Sequence, residues 1–158
     1  MSRNGNFKIY LARPISGCLY SDVEQYYTEL TGILEDVGYM VLSPMTGKGS
    51  LKEILKDEPF KSTGYIIPQA TNNAILKRDE WMVSLADVVY VNLVGAKEKS
   101  IGCICEISFA HIIGKYIVLA MEPGNIHNHA FVNSMAGAIF PNTVDAETYL
   151  IDLIQGNM

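Results

Sequence analysis

The chain has little positive charge, few cysteines and no long apolar run, and each shortage closes off a class of function. Twelve Lys and Arg stand against 17 Asp and Glu, for a net charge of −5. That balance argues against a general affinity for nucleic acid or an anionic membrane, since both need a basic surface to displace counterions. No stretch approaches the roughly 20 apolar residues that cross a bilayer, and the opening MSRNGNFKIYLARP lacks the apolar segment of a secretory signal. The expectation is a cytoplasmic protein with neither membrane nor nucleic-acid partners. Cys18, Cys103 and Cys105 are odd in number and the last two are one residue apart, so reduced thiols are expected rather than a disulfide framework. Cys103, Cys105 and His111 match no common zinc spacing. No G-x-G-x-x-G follows the first apolar segment, which argues against a dinucleotide-dependent oxidoreductase.

What is present suits one compact domain over residues 1–158, because a chain of 158 residues that is 49% hydrophobic can build one core but not two. Phe7 to Ala12 reads as a first strand that runs into the turn residues Arg13 to Gly17. Ser21 three residues ahead of Glu24 forms a capping-box pattern, and an amphipathic helix continues to Val37 before Gly38 ends it. Tyr39 to Leu42 reads as the second strand. Met45 to Gln69 is a long excursion with one helical turn near Leu51 to Leu55, and excursions of that length tend to be binding loops or lids. A helix capped by Thr71 turns Ile75, Leu76, Trp81, Met82 and Leu85 inward. The continuous apolar run Val88 to Val94 then predicts a central strand buried on both faces. A helix over Ile101 to Ile113, a strand over Tyr116 to Met121 and a helix over Val144 to Ile154 complete the pattern. Alternation of this kind predicts an α/β fold: a single open parallel sheet of about five strands with helices on both faces, Rossmann-like or flavodoxin-like. Ligands bind such sheets beyond the carboxyl ends of the strands, which directs attention to Arg13–Gly17, Ser43–Gly49 and Gly95–Glu106.

Glu106 stands among apolar neighbours where a loop turns into a helix, so its carboxylate either meets a helix dipole or has a specific partner. Asp79 lies on the preceding helix among charges, beside a Trp that the pattern turns inward. Asp87, between that helix and the central strand, reads on its own as a cap or turn residue. Gly102 permits close approach of backbone to ligand. Ser16, Gly17 and Ser100 offer small donors, and the first amides of the helix at Ile101 to Cys103 are free to meet an anion. The rings of Tyr10, Tyr65 and Tyr90 either stack on a base or pack.

In this order the pieces resemble the nucleoside 2-deoxyribosyltransferase family and its relatives that hydrolyse nucleoside 5′-monophosphates. The resemblance covers most of the chain. It rests on Ile9-Tyr10-Leu11-Ala12 with Pro14, Arg78-Asp79, Ala86-Asp87-Val88-Val89, Gly102 and Glu106 with Ala110, and Gly114-Lys115. It implies that Glu106 attacks the anomeric carbon while Asp79 handles the proton of the departing base, with no metal or organic cofactor. A carboxylate can trap an oxocarbenium-like centre as a glycosyl ester, dividing one hard displacement into two. Tyr10, Arg13, Ser16, Gly17, Asp87, Ser100 and Gly102 become substrate-binding positions. Asn133 and Met135, in a tail element similar to one that reaches a neighbouring subunit's site, complete the pocket across a homodimer or larger homo-oligomer. The implied partners are a nucleoside or nucleotide and a free nucleobase.

Two positions depart from the transferase pattern. Ser100 replaces an acid, as in the relatives that accept a 5′-phosphate, and a hydroxyl tolerates a phosphate that a carboxylate repels. Arg13 replaces a small residue, and either holds an anion or pairs with a surface acid. A noncatalytic nucleotide-binding module on the same sheet is the competing reading, since fold does not fix function.

Overall fold

The computed structural model describes residues 7–156. The expected absence of a secretory signal concerns the start of the chain, where residues 1–6 lie outside the described ones. Five parallel strands form one open sheet, β1 (Lys8–Ala12), β2 (Met40–Leu42), β3 (Val88–Asn92), β4 (Tyr116–Ala120) and β5 (Ala138–Phe140), in the order β2-β1-β3-β4-β5.

Helices cover both faces, and the alternation of side chains along each strand assigns them. Ile9 and Leu11 of β1, Tyr90 of β3 and Val118 of β4 pack with α1 (Tyr20–Asp36) and α6 (Thr143–Gln155). Their sequence neighbours Tyr10, Val89, Val91, Ile117 and Leu119 pack on the other side with α3 (Asn72–Leu85), α4 (Ile101–Ile112) and α5 (Ala130–Met135). A short helix, α2 (Leu51–Ile54), and a 3-10 turn at Pro68–Ala70 interrupt the long excursion. Among the described residues, no helix is long and apolar enough to cross a membrane.

Three details differ from expectation. First, α1 begins at Tyr20 and its N-cap Leu19 makes no side-chain cap bond, so Ser21 is not the cap. A tertiary contact sets the start instead: Gly17 N donates to Phe60 O, Phe60 N donates to Cys18 O, and Tyr20 stacks on Phe60. Second, α3 leaves Leu76 49% and Trp81 58% exposed while burying Met82 and Val83. Its inward stripe runs Ile75, Asp79, Met82, Val83, Ala86 at helical spacing, which carries an acid into the protein. Third, the sheet has the expected five strands, but the last, β5, falls where no strand is expected, a three-residue edge strand preceded by the short α5.

Candidate active site

Strand order reverses between β1 and β3, so the loops leaving those strands diverge and open a crevice at their carboxyl ends. Glu106 approaches this region from the second turn of α4. It shares that helix's inward stripe with Cys103, Ile107 and Ala110, all buried. Ser100 caps the helix by accepting from Cys103 N at 3.3 Å. The cap is itself anchored, because Ser100 N donates to His127 Nε2 at 2.7 Å. His127 is buried, and its backbone N and Nδ1 both meet Asn125 Oδ1, while Asn125 Nδ2 donates to Leu93 O at 2.7 Å. An accepting Nε2 requires the proton on Nδ1, so His127 is a neutral structural link between the loops after β3 and β4. Burial lowers its pKa accordingly.

Tyr10, fully buried on β1, donates its hydroxyl to Glu106 Oε1 at 2.8 Å. From α3, whose cap Thr71 accepts from Ala74 N, comes Asp79. From the loop after β2 comes Lys48, only 3% exposed. Local turns fix that loop: Lys48 N donates to Met45 O and Leu51 N to Lys48 O. Gly47 has φ 76°, a backbone that favours glycine, and a Cβ there would lie 2.8 Å from the Arg78 guanidinium, which would have to shift to admit it. Arg78 Nη1 donates to Gln69 O. Its Nε and Nη2, together with Asp79 Oδ1 and Tyr27 Oη, are buried without hydrogen-bond partners among the described residues. Most buried polar groups are hydrogen-bonded, so a cluster of unsatisfied ones sets this region apart from the rest of the core.

The Asp79 charge acts on Glu106. Burial pushes Glu106 up to about 8, the Asp79 charge adds to the rise, and the Tyr10 hydrogen bond and the Lys48 charge oppose it. Burial also raises Asp79, against the pull of Lys48 and Arg78. Lys48 is lowered by burial, with Asp79 and Glu106 acting against that fall. Tyr10 and Tyr27 are raised well above the ordinary phenol value by burial, so both are neutral donors.

A stability prediction follows. Because folding raises the Glu106 pKa from 4.5 to about 8, the stability present below the lower value is lost as pH rises toward the upper one. Glu106→Gln removes that loss. The variant is expected to melt several degrees higher than the parent at pH 8, for a gain on the order of 2 kcal/mol once residual solvation is allowed for, and to match it at pH 4. Equal melting differences at both pH values would contradict a carboxylate held neutral by burial.

The remaining sequence-named positions scatter. Arg13, at the end of β1, places its guanidinium 4.5 Å from the centre of the Tyr26 ring and acts on Tyr27 and Cys103. Ser16 and Gly17 are exposed in the same loop, where Gly17 adopts φ 83°. Gly102 is exposed, with open space where a Cβ would stand. Asp87 is not brought to this end. It sits at the amino edge of the sheet, accepting from Lys8 N at 2.8 Å. Asn133 is exposed on α5 and bonded to Asn128, and Met135 packs against the core on that side. Tyr90 is buried, with its hydroxyl directed to Glu147, and the Tyr65 hydroxyl accepts from Lys61 N. Cys103 is buried and Cys105 exposed.

A groove of about 480 Å³ opens between α1 and the loop after β2, lined in part by Tyr20, Tyr27, Ser43, Met45 and Gly49. Glu106 and Asp79 do not line it. Tyr27, which helps line the groove, also feels the Glu106 charge. Lys48, Tyr27 and His127 are the residues of the region that sequence reasoning missed. The stretch Ser43–Gly49 contains Lys48, but a Lys between two glycines reads as solvated.

No protein-family model and no curated protein sequence matches the chain. Solved structures do. A 2-deoxyribosyltransferase from Leishmania mexicana superposes with a TM-score of 0.62 at 18% identity, covering 92% of this chain and 97% of that one. A CMP N-glycosidase from Clostridium botulinum gives 0.54 at 14% identity, covering 96% and 99%. A molybdenum cofactor binding protein from Rippkaea orientalis gives 0.54 at 14%, covering 98% of each chain. The chain shares the fold of these proteins.

Proposed function

We propose that this protein breaks the N-glycosidic bond of a 2′-deoxyribonucleoside or a (deoxy)nucleoside 5′-monophosphate, with Glu106 as nucleophile. The observation that carries the reading is the partly buried Glu106 carboxylate, held on one oxygen by Tyr10 and facing Asp79 and Lys48 from other elements. The fold shared with a deoxyribosyltransferase and a CMP N-glycosidase supports it.

In the first step a Glu106 oxygen attacks the anomeric carbon as the bond to the base breaks. The base leaves with the electron pair and takes up a proton handled by Asp79, leaving a glycosyl ester. In the second step another nucleobase or water attacks the same carbon and releases Glu106. Tyr10, engaged at Oε1, orients the carboxylate so that Oε2 is the attacking atom. Asn133 and Met135 of a second copy complete the pocket in a homo-oligomer, consistent with the exposure of Asn133 on α5. Incubating the protein with deoxynucleosides and monophosphates, with and without a free base, tests this directly. Chromatography then reads released base and exchanged nucleoside, and absence of both across the panel would remove the proposal.

Ser100 in place of an acid, and the first-turn amides of α4 that have no intrahelical acceptor, favour a phosphate on the sugar. Arg13, Ser16 and Gly17 lie in the loop after β1, and Gly102 stands in the first turn of α4 with open space beside it. A 5′-monophosphate is therefore expected to exceed its nucleoside by about tenfold or more in kcat/KM, the scale of one charge-assisted contact set. Equal values would contradict the anion site.

A second reading is a nucleotide-binding module without catalysis, since a fold does not fix function and a protein described as binding a molybdenum cofactor shares this one. That reading predicts tight binding of some panel member with no base released.

A further inference from the structure

Lysine is almost never fully buried without a partner, because removing its charge from water is costly. Lys48 is 3% exposed, yet among the described residues no carboxylate lies within 4.0 Å of its Nζ, since the ion pairs there are Lys52–Glu24 and Lys77–Glu80. Its place is imposed by the backbone, through the Met45 and Leu51 hydrogen bonds and the packing of Gly47 on Arg78. The charges it meets are Asp79 and Arg78 from α3 and Glu106 from α4. Tyr10 from β1 meets both acids and Tyr27 from α1 meets Glu106, each as a neutral hydroxyl, and the Cys103 thiol of α4 is held neutral by burial. Arg78 acts on Asp79, whereas Lys48 acts on both acids.

We infer that Lys48 is a positioning residue for the proposed reaction: its buried ammonium, brought in by the loop after β2, offsets part of the burial of Glu106, so that a larger fraction of that carboxylate is ionised and able to attack. Without that cation the buried Glu106 carboxylate loses an attraction that favours its charged form, while the Asp79 charge that opposes it stays. Losing Lys48 therefore leaves less of the nucleophile ionised near neutral pH, with the Tyr10 bond to Glu106 still in place. The inference rests on the reading of Glu106 as nucleophile, but its physical core, a charge coupling between residues 48 and 106, is measurable without turnover.

The experiment has two readouts. In the first, kcat/KM for base release is followed against pH in the parent, Lys48→Met and Lys48→Arg. The acidic limb of Lys48→Met is expected to move up by about one pH unit, giving about a tenfold loss at pH 7 that recovers on raising the pH, while Lys48→Arg retains most of the parent's profile. A uniform loss at every pH would overturn the inference. In the second, melting temperatures at pH 8.5 are compared for Glu106 and Glu106→Gln in Lys48 and Lys48→Met backgrounds, a double-mutant cycle. The gain from Glu106→Gln is expected to be larger when Lys48 is absent, and equal gains would overturn the coupling. If Lys48→Met does not fold, Lys48→Gln serves the same cycle. A parent that releases no base defeats the proposed function while leaving the second readout decisive.

Discussion

Replacing Glu106 by glutamine should reduce base release by about 10⁴-fold or more, with the fold preserved. The amide fills the same volume and still accepts from the Tyr10 hydroxyl, which meets Oε1 at 2.8 Å, so what is lost is the charge that traps the anomeric carbon. The variant should bind substrate and hold it unreacted, a loss confined to kcat, and steady-state kinetics beside a binding isotherm separates these. In the parent, kcat/KM should climb with pH toward about 8, because an empty site with Glu106 at that value is mostly protonated below it. A Glu106→Gln variant that retains parental turnover would end the glycosyl-ester mechanism.

The second large effect is expected at Asp79. Asp79→Asn should lower turnover by about 10²- to 10³-fold for an ordinary nucleobase, the range of a lost general acid. The loss should shrink for substrates whose base is a better leaving group and needs no protonation. Burial raises the Asp79 pKa, which favours the protonated form that the departure of the base requires, and its buried Oδ1 has no hydrogen-bond partner among the described residues. Rates measured across bases of graded acidity test the assignment. A loss of the same size for every base would make Asp79 a structural acid.

The parts legible in the sequence were those written in local patterns. The run Val88 to Val94 announced a strand covered on both faces, and β3 occupies its first five residues between two helical layers. Thr71 caps α3 as expected, and Ser100, read only as a small donor, caps α4. Patterns failed where a distant segment decides. The start of α1 is set by the pairing of residues 17 and 18 with Phe60, invisible at Ser21. Trp81 looks like core by composition but lies off the stripe that carries Asp79 inward. The three residues of β5 are too few to show a period. Within the candidate site, Glu106 and Asp79 were found through a resemblance, yet the stripes Cys103-Glu106-Ile107-Ala110 and Ile75-Asp79-Met82-Val83 hold an independent signal, an acid placed at an inward helical position. Nothing local marks Lys48, whose burial comes from how the loop after β2 folds against α3, nor separates Asp87, at the far edge of the sheet, from the acids at the crevice.

The most direct test is to stop the reaction between its two steps. The protein is incubated with a donor nucleotide bearing fluorine at the sugar 2′ position, which slows breakdown of a glycosyl ester, then quenched in acid, digested and examined by mass spectrometry. The expected result is one sugar residue attached to the peptide containing Glu106, with a stoichiometric burst of free base. Base released steadily with no sugar on that peptide, or sugar found on another residue, would contradict Glu106 as the nucleophile.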